Sequence, residues 1–275
     1  MRSHRPTLST ACRMAMLTAP LLALSLVQAA RAEEPISTDR PDFVESSDVV
    51  GKGRFQLETG FASERNKADG VKERLSTTPT LLRFGVSDTL EFRVETDGIS
   101  RLRSEDTTTG ITTRERGYAD MAIGIKWHTQ DGDADKGIPA MAWLLHADLE
   151  TGSRAFRGDG VRPSLRAVAE WDLPNDWSIG VMPGLFVDKN EDGDRYVGGI
   201  AAVTVGKSWT DRFKTFFELA GQQLASKKNG GNIATWDTGA TYLINNDVQV
   251  DVSFSWGATK ETPDFAWGVG LAVRF

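Results

Sequence analysis

The sequence GVGLAVRF, residues 268–275, ends the chain and decides the predicted fold. Val269, Leu271, Val273 and Phe275 alternate with small or polar residues, as expected of a β-strand with one apolar face. A terminal phenylalanine on such a strand, in a chain of about ten-residue alternating segments, is typical of outer-membrane β-barrels. We therefore predict an all-β protein: a single antiparallel transmembrane barrel with apolar side chains toward lipid and polar ones inside.

The N-terminus predicts export from the cytoplasm. A basic region ending at Arg13 precedes an apolar run over residues 14–27, and Ala30-Arg31-Ala32 supplies an A-x-A cleavage site. We predict a signal peptide over residues 1–32, a periplasmic lead-in over residues 33–52 and the barrel over residues 53–275. Cys12 is the single cysteine, so the processed chain is expected to form no disulfide and no thiolate metal site.

The charge of the processed chain limits its partners. Cleavage removes four arginines and no acid, which takes the formal net charge from −6 to −10. Nucleic acid is not an expected partner, because phosphate binding needs a concentrated positive surface. We expect the outer membrane of a Gram-negative bacterium, with three partners: outer-membrane lipid, the barrel-assembly machinery through the C-terminal strand, and a small-molecule solute.

Twelve strands are predicted, and an even number places both termini at the periplasmic end. Polar connections over residues 99–116, 152–160 and 224–231 are expected outside, and tight turns over residues 86–88, 172–176 and 245–247 inside. The predicted strands span residues 53–63, 74–84, 89–98, 117–128, 139–151, 161–171, 177–187, 195–208, 213–222, 232–243, 248–258 and 264–275.

Tryptophan positions favour a membrane barrel over a secreted β-sandwich. Aromatic rings collect at the two bilayer interfaces of a barrel, whereas a sandwich core would hold them in mid-strand. Only Trp143 is predicted in mid-strand. Four others adjoin predicted periplasmic turns and three lie near the opposite strand ends: Trp127, Trp171, Trp177 and Trp209, then Trp236, Trp256 and Trp267.

The same alternation predicts a charged interior. In the strand TLEFRVE, for example, every second residue is ionisable. Such a wall either selects solutes at a constriction or pairs its charges and fills a narrow barrel, and twelve strands are compatible with both. The predicted pore-lining residues are Arg83, Glu91, Arg93, Glu95, Asp120, His146, Asp148 and Arg166.

A symmetric turn over residues 152–160 would set the pairing of two neighbouring strands. It would place Glu150 opposite Arg162 and His146 opposite Arg166. Asp120 would then approach His146 from the preceding strand.

Catalytic and metal motifs are weak. His128 and His146 lie too far apart along the predicted barrel to share a metal, and no serine has a G-x-S-x-G context. The loop DKNEDGD, residues 188–194, matches the opening of a calcium loop, but its twelfth position is Gly199 instead of a glutamate. Asp, Asn and Gly are also common turn residues, so calcium binding stays open. We predict no enzyme and no cofactor.

Several segments together resemble a family of bacterial outer-membrane transporters associated with the phenol-degradation (meta-cleavage) pathway. They are STDRPDF (37–43), GRFQLETGF (53–61), PTLLRFGVSDTLEFRV (79–94), DMAIGIKW (120–127), DTGATYLINNDVQVD (237–251) and GVGLAVRF (268–275).

The resemblance implies a single barrel that passes small solutes, with aromatic or hydrophobic ones suggested by the family's association. It also makes Arg83 and Arg93 pore candidates, since both stand in a recurring strand-turn-strand segment. A closed structural or adhesive barrel with binding loops is the alternative, and a membrane lipid hydrolase is a more distant one.

Overall fold

The computed structural model describes residues 34–275, so the predicted signal peptide lies outside the described part of the chain. In that part, neither of the two 3-10 turns, Ala134–Lys136 and Lys227–Asn229, could cross a membrane as a helix. The strands are β1 (Phe55–Ala68), β2 (Val71–Thr77), β3 (Thr80–Gly85), β4 (Leu90–Thr96), β5 (Ile99–Asp106), β6 (Thr112–Tyr118), β7 (Met121–Gln130), β8 (Ala140–Leu149), β9 (Arg162–Leu173), β10 (Trp177–Lys189), β11 (Arg195–Thr210), β12 (Phe213–Leu224), β13 (Ile233–Asn245), β14 (Val248–Gly257) and β15 (Phe265–Arg274).

Twelve of these strands close into an antiparallel ring. Its order is β1, β3, β4, then β7 through β15, and β15 pairs with β1. The closing seam runs from Gln56 opposite Arg274 to Arg65 opposite Phe265. Closure leaves no free edge in the ring, which is what a sheet needs in a bilayer without water to satisfy its backbone. The prediction of a single twelve-stranded barrel is confirmed.

Strands β2, β5 and β6 extend the sheet beyond the outer end of the ring. Each continues the direction of a ring strand, β3, β4 or β7, after a short break in the pairing. One break contains Pro79, which lacks an N–H, and another contains Gly98, whose φ is +63°. The predicted outer loop over residues 99–116 is therefore wrong, because those residues form the β5–β6 hairpin. Beyond the first pair, Ile99 and Tyr118, its strands lack an apolar face, since they stand beyond the lipid-facing belt.

The predicted alternation of faces is confirmed. On β7, Ile123 and Trp127 are 42% and 54% exposed on the outer surface, whereas Ala122 and Lys126, which have the opposite parity, are 6% and 0% exposed. On β15, Leu271 likewise faces out. These exposed apolar side chains form the belt that meets hydrocarbon, and the buried ones face the lumen.

Tryptophans form the two girdles expected of a membrane barrel. Trp236 lies directly opposite Trp256 toward the outer end, and Trp127 lies directly opposite Trp143 toward the end with short turns. Trp143, the fourth of ten residues in β8, thus lies beside Trp127 of the periplasmic girdle.

Residues 34–54, called the luminal segment below, run through the barrel interior. The segment enters where Ile36 N donates to Asn246 O, and it leaves where Gly53 N donates to Gly85 O. Between these points Val44 packs against inward-facing Leu144 and neighbouring apolar residues of β9 to β12. The predicted periplasmic lead-in over residues 33–52 is thus wrong for its described residues. The inward charges of the wall need partners, and this segment supplies them.

Candidate functional site

Asp39 of the luminal segment lies at the centre of a cationic cluster on β3, β4 and β7. Its carboxylate accepts from Lys126 Nζ at 2.7 and 2.9 Å, from Arg93 Nη1 at 2.7 Å and from Ser46 N at 2.9 Å. Arg83 Nη1 lies 3.5 Å away. The three cations are at most 1% exposed. Buried charges require paired and hydrogen-bonded partners, and one aspartate supplies much of that here.

Arg83 holds both arms of the luminal segment to the wall. Its Nε and Nη2 donate to Glu91 at 2.9 and 3.1 Å, and its Nη1 donates to Glu58 at 3.0 Å. It also donates to the carbonyls of Ser37 at 3.0 Å and Asp48 at 2.7 Å. The fork of a guanidinium suits such divergent acceptors, so this arginine is a structural clamp for the segment.

Glu45 forms a second charged contact, higher in the lumen. Its carboxylate lies 2.6 Å from Arg93 Nη1 and 2.7 Å from Arg166 Nη1. Arg166 also covers the ring of Phe43 at 5.9 Å. Two of the guanidinium donors, Nε of Arg93 and Nε of Arg166, are buried without a partner among the described residues. Both arginines line the outer cavity described below.

Wall carboxylates satisfy the backbone of the luminal segment. Glu218 accepts from the backbone N–H groups of Phe43 and Val44, both at 2.8 Å. Glu58 accepts from Asp39 N at 3.0 Å, and Glu91 accepts from Val50 N at 3.0 Å. The segment has no strand or helix of its own, so its N–H groups need these acceptors once they are buried.

Three acids of the segment respond differently to these surroundings. Burial alone would raise the pKa of Asp39, but Arg83, Lys126 and Arg93 hold it well below its ordinary value. Burial also opposes ionisation of Glu45, yet the arginines beside it lower its pKa to about 2. Asp42 has weaker cationic compensation, and burial raises its pKa to about 6.

The luminal segment divides the interior into two cavities. The outer cavity, about 190 Å³, is lined by the segment and by residues such as Glu95 and Arg166. The inner cavity, about 210 Å³, opens toward the periplasmic strand ends near Lys214. Arg40 and Asp42 line both cavities. The backbone around Pro41 is therefore the partition between them, and Arg40 is tied to the wall by Asp251 at 3.1 Å.

A third space, the mouth cavity of about 180 Å³, lies above the outer cavity and shares Glu95 with it. Asp120 builds its wall by accepting from Gly152 N at 2.7 Å, Gly158 N at 2.8 Å and Arg162 Nη2 at 2.8 Å. These bonds fold the loop between β8 and β9 over the barrel mouth.

The eight predicted pore-lining residues fall into two groups along the barrel axis. The lower group surrounds the luminal segment and the upper group lines the mouth cavity, with Glu95 at the boundary. Their lining of a conducting pore stays a prediction. The lower group is Arg83, Glu91, Arg93, Glu95, His146 and Arg166, and the upper group is Asp120 and Asp148.

The predicted cross-strand pairs are wrong by two residues. Asp148 lies opposite Arg162, and His146 lies opposite Ser164. The β8–β9 connection is asymmetric because Asp120 pulls it inward, so a symmetric turn gives the wrong register. For the same reason Asp120 binds Arg162 and not His146. His146 Nδ1 lies 3.6 Å from the Glu95 carboxylate.

Several functional residues escaped the sequence prediction. Asp39 and Glu45 lie in a stretch without periodicity, and the predicted site did not include Lys126 or Glu218 although alternation turns both inward. One signal in the sequence could have pointed to the acids of the luminal segment: the arginine and lysine side chains that face inward on β3, β4 and β7. Those cations required acids from outside their own strands.

The loop over residues 188–194 has the contacts of a turn. The side chain of Asn190 accepts from Asp192 N at 3.1 Å and from Asp194 N at 2.9 Å. Such bonds explain the Asp and Asn residues without an ion. Within residues 34–275, no group of His, Cys, Asp and Glu has the arrangement of a metal site.

A closed ring with an apolar belt, two aromatic girdles and a charged interior defines an outer-membrane β-barrel. The chain belongs to the family described as "Putative MetA-pathway of phenol degradation", which matches residues 38–275. This confirms the resemblance found in the sequence.

Two crystal structures show the same fold. An outer membrane channel from Pseudomonas putida is 12% identical, with a TM-score of 0.56 over 86% of this chain and 99% of that one. The beta domain of the Bordetella autotransporter BrkA is also 12% identical, with a TM-score of 0.51 over 81% of this chain and 99% of that one. No curated protein sequence matches the chain.

Proposed function

We propose that this barrel is a channel for small solutes, closed in the described state by its luminal segment. The observation that carries the proposal is the shared lining of the outer and inner cavities by Arg40 and Asp42. Removing that thin partition would join two existing spaces into one path along the axis. The solved outer membrane channel of the same fold supports the proposal by analogy.

The size of the cavities and the family description suggest a single-ring aromatic solute. A cavity of about 150 Å³ holds benzene, and the outer and inner cavities exceed that volume. Arg93 and Arg166 line the outer cavity, and their guanidinium groups would bind a carboxylate or phenolate oxygen. The solute that best fits both features is therefore a small aromatic anion.

The proposal concerns transport and not catalysis. Of the two histidines in residues 34–275, His128 bonds to Ser47 O and to Asp131, each at 2.9 Å, and His146 adjoins Glu95. These contacts position the luminal segment and its surroundings. We also propose that the barrel-assembly machinery recognises β15, which closes the ring against β1.

Planar-bilayer recording tests the channel. We expect rare openings from the full processed chain and sustained conductance from a variant that lacks residues 34–50. The control variant is Asp88→Asn, in an exposed periplasmic turn. If folded protein of both kinds shows no conductance, the barrel is a closed structural protein and the proposal fails.

Liposome swelling tests the solute class. Vesicles with the shortened variant should swell faster in benzoate than in cyclohexanecarboxylate, a non-aromatic anion of nearly the same size, at equal osmolarity. Equal swelling in both would overturn the aromatic assignment while leaving the channel itself intact.

A further inference from the structure

A row of arginines crosses four strands of the outer extension. Arg65, Arg74, Arg103 and Arg114 lie directly opposite one another on β1, β2, β5 and β6. The adjacent row toward the membrane ends with a second opposed pair, Arg101 and Arg116. The next row away from the membrane adds Lys67 and Lys72. We call these eight side chains the basic face: Arg65, Lys67, Lys72, Arg74, Arg101, Arg103, Arg114 and Arg116.

The basic face points away from the lumen. Arg65 has the same parity on β1 as Phe61, which is exposed on the outer surface, and its guanidinium lies 5.8 Å from the ring of Phe265. All eight side chains are exposed. Two acids of these strands have the opposite parity, since Glu64 and Glu73 line a cavity on the luminal side. Glu105 is the exception and lies opposite Lys72 on the basic face. The outer surface of this sheet is thus strongly basic, although the protein as a whole is acidic.

The basic face is also poorly neutralised within the protein. Among residues 34–275, Glu105 is the one acid within ion-pair distance of it, 3.4 Å from Arg103 and 3.8 Å from Lys72. Like charges directly opposite each other on neighbouring strands destabilise a sheet. Four arginines in one row therefore call for an external anion.

Its height matches a lipid headgroup. The row of residues immediately on the membrane side of the basic face contains Phe61, Ile99 and Tyr118. These side chains are 40%, 49% and 61% exposed and belong to the apolar belt. From Phe55 to Arg65 the strand runs roughly 33 Å, which at a tilt of about 40° is a rise of roughly 25 Å along the barrel axis. This is close to the ~25 Å height of the apolar band of such barrels. The arginine row thus begins where hydrocarbon ends and headgroups begin.

We propose that the basic face binds the phosphate groups of a phosphorylated glycolipid in the outer leaflet. Arginine forks match phosphate oxygens in two parallel hydrogen bonds, and several arginines at a fixed spacing hold a multiply phosphorylated headgroup. Acyl chains of the same lipid would pack on the belt below, beside Phe61. A soluble anion on its way into the lumen would not use this face, because the sheet separates it from the mouth cavity.

The test uses the full processed chain, refolded in detergent from material free of outer-membrane lipid. The probes are lipid A with both phosphates, dephosphorylated lipid A and inorganic phosphate. The variant is Arg74→Gln with Arg103→Gln and Arg114→Gln, and the matched control is Lys227→Gln with Lys228→Gln in another outer loop. The readout is the lipid concentration that gives half of the shift in thermal midpoint, with heat-modifiable migration as the check on folding.

We expect phosphorylated lipid A to stabilise the wild type and the control alike, and the triple variant to need roughly a hundredfold more of it. Dephosphorylated lipid A and inorganic phosphate should have much weaker effects. Equal responses of the wild type and the triple variant would overturn the proposal. A full response to dephosphorylated lipid A would overturn phosphate recognition, and a full response to inorganic phosphate would show a free-anion site instead.

If the triple variant fails to fold, Arg114→Gln alone on the edge strand replaces it. Its response is then compared at low and high ionic strength, because headgroup electrostatics weaken with salt. A wild-type affinity independent of salt would count against the proposal.

Discussion

Replacing Asp39 with Asn should release the luminal segment. The two side chains have nearly the same shape, but the amide removes the negative charge from between Arg93 and Lys126. Breaking a buried ion pair from one side costs about 3–5 kcal/mol, because the remaining charge is left uncompensated. Water can reach these cations once the segment leaves, so the lower limit of about 3 kcal/mol applies. At 1.4 kcal/mol per factor of ten, the released population should rise roughly a hundredfold.

Two measurements check this result. Planar-bilayer recording should show a higher open probability, and a glutamate-specific protease should cut the folded protein at Glu45, which is buried in the docked segment. Asp88→Asn, in the exposed turn after β3, is the matched control. Adding Lys126→Met to Asp39→Asn should restore part of the closure, because one unpaired cation is then gone. If Asp39→Asn leaves both open probability and cleavage unchanged in folded protein, the segment is not held by this cluster.

Three further predictions concern the lumen and the seam. Burial raises the pKa of Asp42 to about 6, so the docked segment binds a proton at this carboxyl more tightly than the released segment does. Closure should therefore weaken, and conductance rise, as pH increases from 3.8 to about 6. Asp42→Asn should remove this dependence of conductance on pH. Arg166→Gln removes a cation from the outer cavity, so the reversal potential of the open variant should shift toward cation selectivity, and an unshifted potential would place Arg166 off the path. Deleting Phe275 removes its two backbone bonds to Phe55 at the closing seam, at 2.8 and 3.3 Å, and should reduce the yield of heat-modifiable barrel; an unchanged yield would show that the seam closes without them.

The alternation of apolar and polar residues in the sequence was sufficient to predict the barrel. Leu271 and Ile123 face lipid, and Arg93 and Glu91 face inward, because successive side chains of a strand point to opposite faces whatever the strand's neighbours are. That rule is local, so it needs no knowledge of which strands pair. Closure, location and the charged nature of the interior followed from it.

The same alternation could not predict which residues of neighbouring strands lie opposite each other. Asp148 lies opposite Arg162 because Asp120 draws the intervening loop inward, and no pattern within the loop encodes that bond. The basic face was hidden for a similar reason. Arg103 lies in a different hairpin from Arg65 and Arg74, and only the pairing of β2 with β5 brings the three into one row.

The sequence by itself thus determined the strands, their two faces and the membrane in which they close, since these depend on a period of two. The tertiary structure alone decided what fills the lumen. The luminal segment has no periodicity, and its contacts join residues as distant as Arg40 and Asp251. Buried charges find their partners wherever the closed ring places them, and that placement exists only after the ring has formed.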